Sequence, residues 1–216
     1  MNIIFIGAPS CGKGTQAKII CKSYKLNHIS TGDLLREKVE DPRDPLGLQI
    51  KEVIDKGELV DDDLIMQLID DRIYKLTSDE GILFDGFPRT LEQAKLLDQL
   101  FEKYGRKVDK VIKFNLDDRV VLERISGRLT CSECGRSYHK QFNPPKQENT
   151  CDVCLSKLVV RQDDNVASAK VRLTNYYALT YPLIDYYKEQ GKLVSVDALQ
   201  DIESVSNDIK NILGGK

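Results

Sequence analysis

The chain is 216 residues long, 41% hydrophobic and 31% charged, with a formal net charge of -2 and a pI near 5.8. Such a length builds one sizeable core, with or without a small appendage, at the composition of an ordinary globular protein. The acidic balance argues against bulk electrostatic binding of nucleic acid, and no apolar run approaches the roughly 20 residues needed to cross a bilayer.

In chain order, strand-like apolar runs alternate with amphipathic stretches. NIIFIG opens at residues 2–7 and leads through a glycine-rich turn into a helical pattern over 13–24. The opening run carries no basic flank and is too short for a secretory leader, so the cytoplasm is the expected location. LNHIS (26–30) comes next, then helical sequence without a clear strand over 31–60 and an amphipathic stretch at 62–75. GILFDG (81–86), a helix over 90–103, KVIKFNL (110–116) and a helix over 117–127 follow. Residues 129–163 are polar and rich in Cys, Pro and Asn. Beyond them lie one helical pattern at 165–188, the strand KLVSVD (192–197) and a last helix over 201–213. This alternation predicts an α/β fold, a parallel sheet of five strands covered by helices on both faces, with 31–60 and 129–163 as insertions.

The turn GAPSCGKGTQ occupies 7–16. A strand ending at Gly7, a glycine-rich turn and Lys13 opening a helix form a phosphate cradle. Backbone N–H groups turn inward, the helix N-terminus adds partial positive charge and the lysine neutralises the outer phosphates. Gly12 and Gly14 are expected to let the backbone approach where a Cβ would collide. Thr15 follows Gly14, so the loop is a GKGT variant without Ser or Thr directly after the lysine. Cys11 reads as the filler of a small-residue slot, or as a thiol whose pKa the inward N–H groups lower. Cys21 lies on the apolar face of the 13–24 helix and reads as core.

Six further motifs follow in order: STGDLLR (30–36), KGELV (56–60), DGFPRTLEQA (85–94), ERISGR (123–128), FNPPK (142–146) and RQDD (161–164). With the loop, they make the chain resemble the adenylate kinases of the long, zinc-bearing bacterial type over essentially 1–213. The resemblance implies the P-loop nucleoside monophosphate kinase fold. Its core would comprise 1–30, 61–126 and 165–216, with an NMP-binding insertion at 31–60 and a lid at 127–164. It implies the reaction MgATP + AMP ⇌ 2 ADP, run by a monomer whose partners are ATP, AMP and ADP, with no nucleic acid and no membrane. Ser10 departs from the family's usual glycine and fits only at negative φ or with tolerated strain.

Phosphoryl transfer asks a protein mainly for positioning and charge neutralisation. Arginine suits both, because its planar fork grips phosphate oxygens and keeps its proton. The resemblance gives roles to six of the eleven arginines. Arg36 and Arg89 would hold the AMP phosphate, Arg124 and Arg128 would approach the ATP phosphates, and Arg161 and Arg172 would flank the transferred group. Arg43, Arg72 and Arg106 read as solvated surface charge. The ATP site implied comprises Ser10, Cys11, Gly12, Lys13, Gly14, Thr15, Arg124, Arg128, Ser137, Tyr138 and Gln200, with His139 nearby. The AMP site comprises Thr31, Arg36, Glu58, Leu59, Val60, Gly86, Phe87, Pro88, Arg89, Gln93, Arg161 and Arg172, and the family's Phe-Pro turn is cis. Lys13 would follow the γ-phosphate through transfer.

Asp85 ends the apolar run GILF, where a carboxylate at a strand's C-terminal edge holds Mg2+ through water. Asp33 is explained as well by helix capping near Gly32, and Asp163 and Asp164 either cap a helix or orient the arginines. Gln93, one helical turn from Arg89, carries an amide able to pair with the N1/N6 edge of adenine. Thr31 stands where related pyrimidine kinases tend to carry alanine.

Cys131, Cys134, Cys151 and Cys154 form two CxxC pairs sixteen residues apart. Four thiolates at this spacing suit tetrahedral, structural zinc, with disulfides as the competing reading in an exported chain. KQFNPPKQENTC (140–151) excludes helix and central strand through its paired prolines. Tied by one metal, such a segment makes a plate that closes over ATP and excludes water, as 31–60 would over AMP. The alternatives are a GTP-using AMP kinase, a UMP/CMP kinase, and a zinc-ribbon nucleic-acid-binding protein with an incidental phosphate loop.

Overall fold

Among the described residues, the strands in chain order are β1 (Asn2–Gly7), β2 (Leu26–Ser30), β3 (Gly81–Asp85), β4 (Lys110–Asn115), β5 (Arg128–Cys131), β6 (Ser137–His139), β7 (Leu158–Val159) and β8 (Leu193–Asp197). The computed structural model describes residues 1–39, 43, 45–161 and 163–215; Gln162 of RQDD, and residues 40–42 and 44 of the segment 31–60 expected to be an insertion, lie outside them. Five strands pair in parallel in the order β2-β3-β1-β4-β8, the sheet expected from the alternation. The side-chain period of two splits β1 between two cores. Ile4 and Ile6 pack with Ile69, Leu97 and Tyr187 on one face, whereas Ile3 and Phe5 pack with Ile20 and Ile209 on the other. Burial on both faces is why this strand is apolar at consecutive positions rather than at alternate ones.

The helices on the two faces are α1 (Lys13–Tyr24), α2 (Thr31–Val39), α3 (Pro45–Lys56), α4 (Asp62–Tyr74), α5 (Leu91–Lys103), α6 (Asp118–Ser126), α7 (Val166–Asn175), α8 (Leu183–Glu189) and α9 (Ile202–Ile212). Asp61, Thr90, Asp117, Asn165 and Asp201 each accept backbone N–H groups at the start of α4, α5, α6, α7 and α9. The start of α1 differs: Gly12 precedes it with no side-chain cap, and its first turn holds no acidic residue. Its free N–H groups open at the C-terminal edge of the sheet, where a doubly wound fold binds ligands. None of the helices, among the described residues, is long and apolar enough to cross a membrane.

The helical pattern at 165–188 is not one helix. It breaks into α7, a π-helical turn at Tyr176–Thr180, and α8. Pro182 supplies no N–H and ends the run, and Tyr181 N reaches back to Tyr176 O at 2.7 Å. Thr180 Oγ1 donates to Arg89 O at 2.9 Å, so the wide turn is held by the loop before α5.

Residues 127–164 hold a separate three-stranded antiparallel sheet, β6-β5-β7. Its core is Leu129, Cys131, Tyr138, Cys151 and Leu158. Five residues bury too little apolar surface to hold such a piece rigid alone, which is the situation a metal or disulfide staple meets.

Candidate active site

One cleft of ≈ 830 Å3 runs across the C-terminal edge of the sheet. The phosphate-loop turn forms its floor. Gly12 has φ +100°, the left-handed region that glycine enters freely. No protein atom lies within 4 Å of the space a Cβ would fill there, so it is the backbone conformation that calls for glycine. At Gly14 a Cβ would stand 3.2 Å from Asp85 Oδ2, close enough that the carboxylate would have to give way slightly. Ser10 takes positive φ, 55°, so the tolerated-strain alternative is the one realised, and its buried Oγ has no partner among the described residues. Cys11 is 2% exposed and packs into the α1 face of the sheet, as a small-slot filler does. Cys21 is also core, and burial pushes its thiol up to about 12.

Lys13 crosses the loop rather than pointing to solvent. Its Nζ donates to Gly7 O at 2.6 Å and Ala8 O at 2.8 Å. Asp85 ends β3 opposite it, with His28 Nε2 3.7 Å from its carboxylate. Burial works to raise the Asp85 carboxyl, but His28 and Lys13 outweigh it and hold the group below the usual carboxylate range. An ionised carboxylate at a strand edge is a donor that fits Mg2+ and its water shell.

Six arginines converge on the same cleft: Arg36 from α2, Arg89 from the β3–α5 turn, Arg124 from α6, Arg128 from β5, Arg161 after β7 and Arg172 from α7. Burial lowers Arg161 to about 10, with Arg36 and Arg128 adding repulsion. Arg89 is lowered in the same way, by burial and then by Arg172. Guanidiniums crowded against one another form a site that gains by taking up an anion. Carboxylates hold part of the cluster in place. Asp164 receives a bidentate pair from Arg128, and Arg172 pairs with Asp163. Asn165 is the cap of α7, so Asp163 and Asp164 orient arginines. Asp33 is not a cap either: Ser30 Oγ accepts the Asp33 N–H, and the Asp33 carboxylate pairs with Arg36 at 2.5 Å.

The three arginines read as surface charge divide. Arg43 is exposed, and Arg72 meets Glu37 at the surface at 2.5 Å. Arg106 is structural instead. It donates to Thr77 O and Glu80 O, tying the turn before β3.

Near the α2 end, Thr31, Glu58, Leu59, Val60, Gly86, Phe87, Pro88 and Gln93 line the cleft, and the Phe87–Pro88 bond is cis. Thr31 Oγ1 donates to Gly86 O at 2.8 Å. Gln93, expected to be open to a base, is 2% exposed and already bonded to protein on both amide atoms. At the other end lie Thr15, Ser137, Tyr138, His139 and Gln200. The Tyr138 hydroxyl turns toward the cysteines, accepting Asp152 N–H at 2.8 Å. Phe142 opens the FNPPK motif. It is 51% exposed, and the Arg124 guanidinium stands over its ring at 6.0 Å. The pair is a cation–π contact at the rim of the cleft, two flat faces of the kind that stack on an aromatic ring, and an aromatic residue in an otherwise polar segment is the signal the sequence offers.

The four cysteines meet as their spacing predicts, with all four Sγ atoms within 4.8 Å of one another. Cys131 and Cys154 are 3.3 Å apart and Cys134 and Cys151 3.6 Å. The edge of a tetrahedron of thiolates around a metal at about 2.3 Å is close to this spacing. The set could hold a metal ion, and a fourth sulfur leaves no position for a reactant.

The family profile described as "Adenylate kinase" matches residues 5–192. Among curated relatives, the "Adenylate kinase" of Caldicellulosiruptor bescii is 44% identical over 214 residues, covering 99% of each chain. That of Bacillus subtilis is 44% identical over 215 residues, covering 100% of this chain and 99% of its own. A Clostridium botulinum counterpart is 43% identical over 214 residues. With a profile that spans most of the sequence and relatives matched along their full length, the chain belongs to the adenylate kinase family.

Proposed function

We propose that this cleft passes the terminal phosphoryl group of ATP to AMP, giving two ADP. One observation carries the reading: an uncapped helix N-terminus with Lys13 faces a crowded, buried arginine cluster across one strand edge. Two polyanions brought together there have their charge matched before any bond changes, which is where such catalysis gains most. Lys13 would exchange the Gly7 and Ala8 carbonyls for phosphate oxygens. Arg36 and Arg89 would hold AMP, Arg124 and Arg128 the ATP phosphates, and Arg161 and Arg172 the group in transit. The exposed ring of Phe142 would stack on the adenine of ATP. Asp85 would hold Mg2+ through water; the ion supplies charge neutralisation across neighbouring phosphate oxygens.

The 31–60 and 127–164 segments are read as the two covers of this site. Support for the second comes from Lys18 of α1, which donates to Cys134 O at 2.9 Å and so rests the cysteine-bearing segment on the phosphate-loop helix. Closure excludes water, which would otherwise accept the phosphoryl group. A panel of acceptors tests the reading. AMP exceeds CMP, UMP and GMP in kcat/KM by at least roughly 100-fold, the scale set by leaving buried polar groups unpaired. Comparable rates with UMP would replace it with a pyrimidine nucleotide kinase.

Zinc is the metal that four thiolates in a closed tetrahedron favour, and its role here is structural. Metal held only by the folded segment adds its binding energy to folding. Cys131→Ser therefore lowers Tm by about 5 °C or more, while phosphotransfer persists at low temperature. Metal content, melting and activity measured on one sample check this; loss of all turnover in a folded protein would make the metal catalytic.

A further inference from the structure

The Gln93 amide is gripped from two sides by groups of opposite kind. Its Nε2 donates to Asp62 Oδ1 at 2.6 Å, and its Oε1 accepts the Arg89 backbone N–H at 2.7 Å. A carboxylate only accepts and a backbone N–H only donates. Turning the amide over would set oxygen against oxygen and N–H against N–H, at the cost of two buried hydrogen bonds. The side chain is 2% exposed and lines the cleft beside Thr31 and Phe87; Asp62, the first residue of α4, stands behind it and outside the cleft lining.

Each amide atom still keeps one valence for a ligand: the second Nε2 hydrogen and the second Oε1 lone pair. These present a donor and an acceptor in a fixed order. Adenine offers an acceptor at N1 and a donor at its 6-amino group. A 6-oxopurine offers the reverse, a donor at N1 and an acceptor at O6. Only a freely rotating amide serves both.

We propose that Asp62 is a specificity-determining positioning residue, which locks the Gln93 amide in the orientation that accepts a 6-aminopurine and rejects a 6-oxopurine. This rests on the reading of Gln93 as a base-facing group of the AMP site. Asp62 also lies in the first turn of α4, where any carboxylate favours the helix N-terminus. Exposed Asp63 in the same turn shares that role without touching Gln93, and so separates the two effects.

The test compares AMP with IMP, which differ at the purine 6-position and N1, as acceptors for the wild-type chain and for Asp62→Asn, Asp63→Asn and Gln93→Leu. Asn at 62 faces either amide atom, so Asp62→Asn lowers the AMP:IMP ratio of kcat/KM by about 10-fold or more, mainly through better use of IMP. Asp63→Asn leaves the ratio within about twofold, as surface substitutions do. Should Asp62→Asn melt below the assay temperature, Asp62→Ser repeats the comparison with a group that also donates or accepts. A fall due only to poorer AMP use, with IMP unimproved, would show a structural role and overturn the proposal. An unchanged ratio in Asp62→Asn, with a collapsed one in Gln93→Leu, overturns the lock but leaves Gln93 as base reader. An unchanged ratio in Gln93→Leu overturns both.

Discussion

Lys13→Met lowers kcat by more than about 100-fold, the scale of losing one preorganised charge at a reacting phosphate. Methionine keeps the length of the side chain and removes the ammonium. In the free protein that ammonium bridges Gly7 O and Ala8 O and reaches Cys11 Sγ at 3.5 Å, so the change also loses these three hydrogen bonds at a partly exposed position. Those bonds run to the end of β1 and to buried Ala8 and Cys11, but no apolar core side chain is removed, so melting shifts by only a few degrees. Turnover at saturating ATP and AMP, measured beside a melting curve, separates the two effects. A folded mutant with near-normal turnover would remove Lys13 from phosphate chemistry and the loop from its assigned role.

Arg161→Met shows the opposite balance of function and stability. Burial, and then repulsion from Arg36 and Arg128, bring the pKa of its guanidinium down to about 10. A lowered value for a cation means that the fold disfavours the charge, so deleting the charge relieves the free protein. The expected result is a melting temperature equal to or above that of the wild type, with kcat/KM reduced by about 100-fold or more. One hydrogen bond, Arg161 Nε to Thr130 Oγ1 at 3.0 Å, is lost on the other side of the account and limits the gain. Lower melting together with unchanged kinetics would show that Arg161 braces the β5 strand and takes no part in transfer.

The architecture was legible because its signals are local and repeated. The inner strands β1 and β3 are buried on both faces, so they appear as short apolar runs, and side-chain caps such as Thr90 and Asp117 sit just ahead of their helices. The phosphate loop and the two CxxC pairs were legible for the same reason, since each packs its chemistry into a few consecutive residues. The break at 176–182 was not, because 165–188 stays amphipathic throughout and the wide turn is held by Arg89 O, which belongs to another element. Partnerships between polar side chains escaped in the same way. Nothing in the order of residues says that Asp62 reaches Gln93, that Phe142 lies under Arg124, or that Arg106 serves the carbonyls of Thr77 and Glu80. Element type follows from hydrophobic period and backbone preference, which neighbouring residues set. Which polar groups meet is decided only when the sheet order brings distant strand ends to one edge, and there the orientation of a single amide became a property of the site.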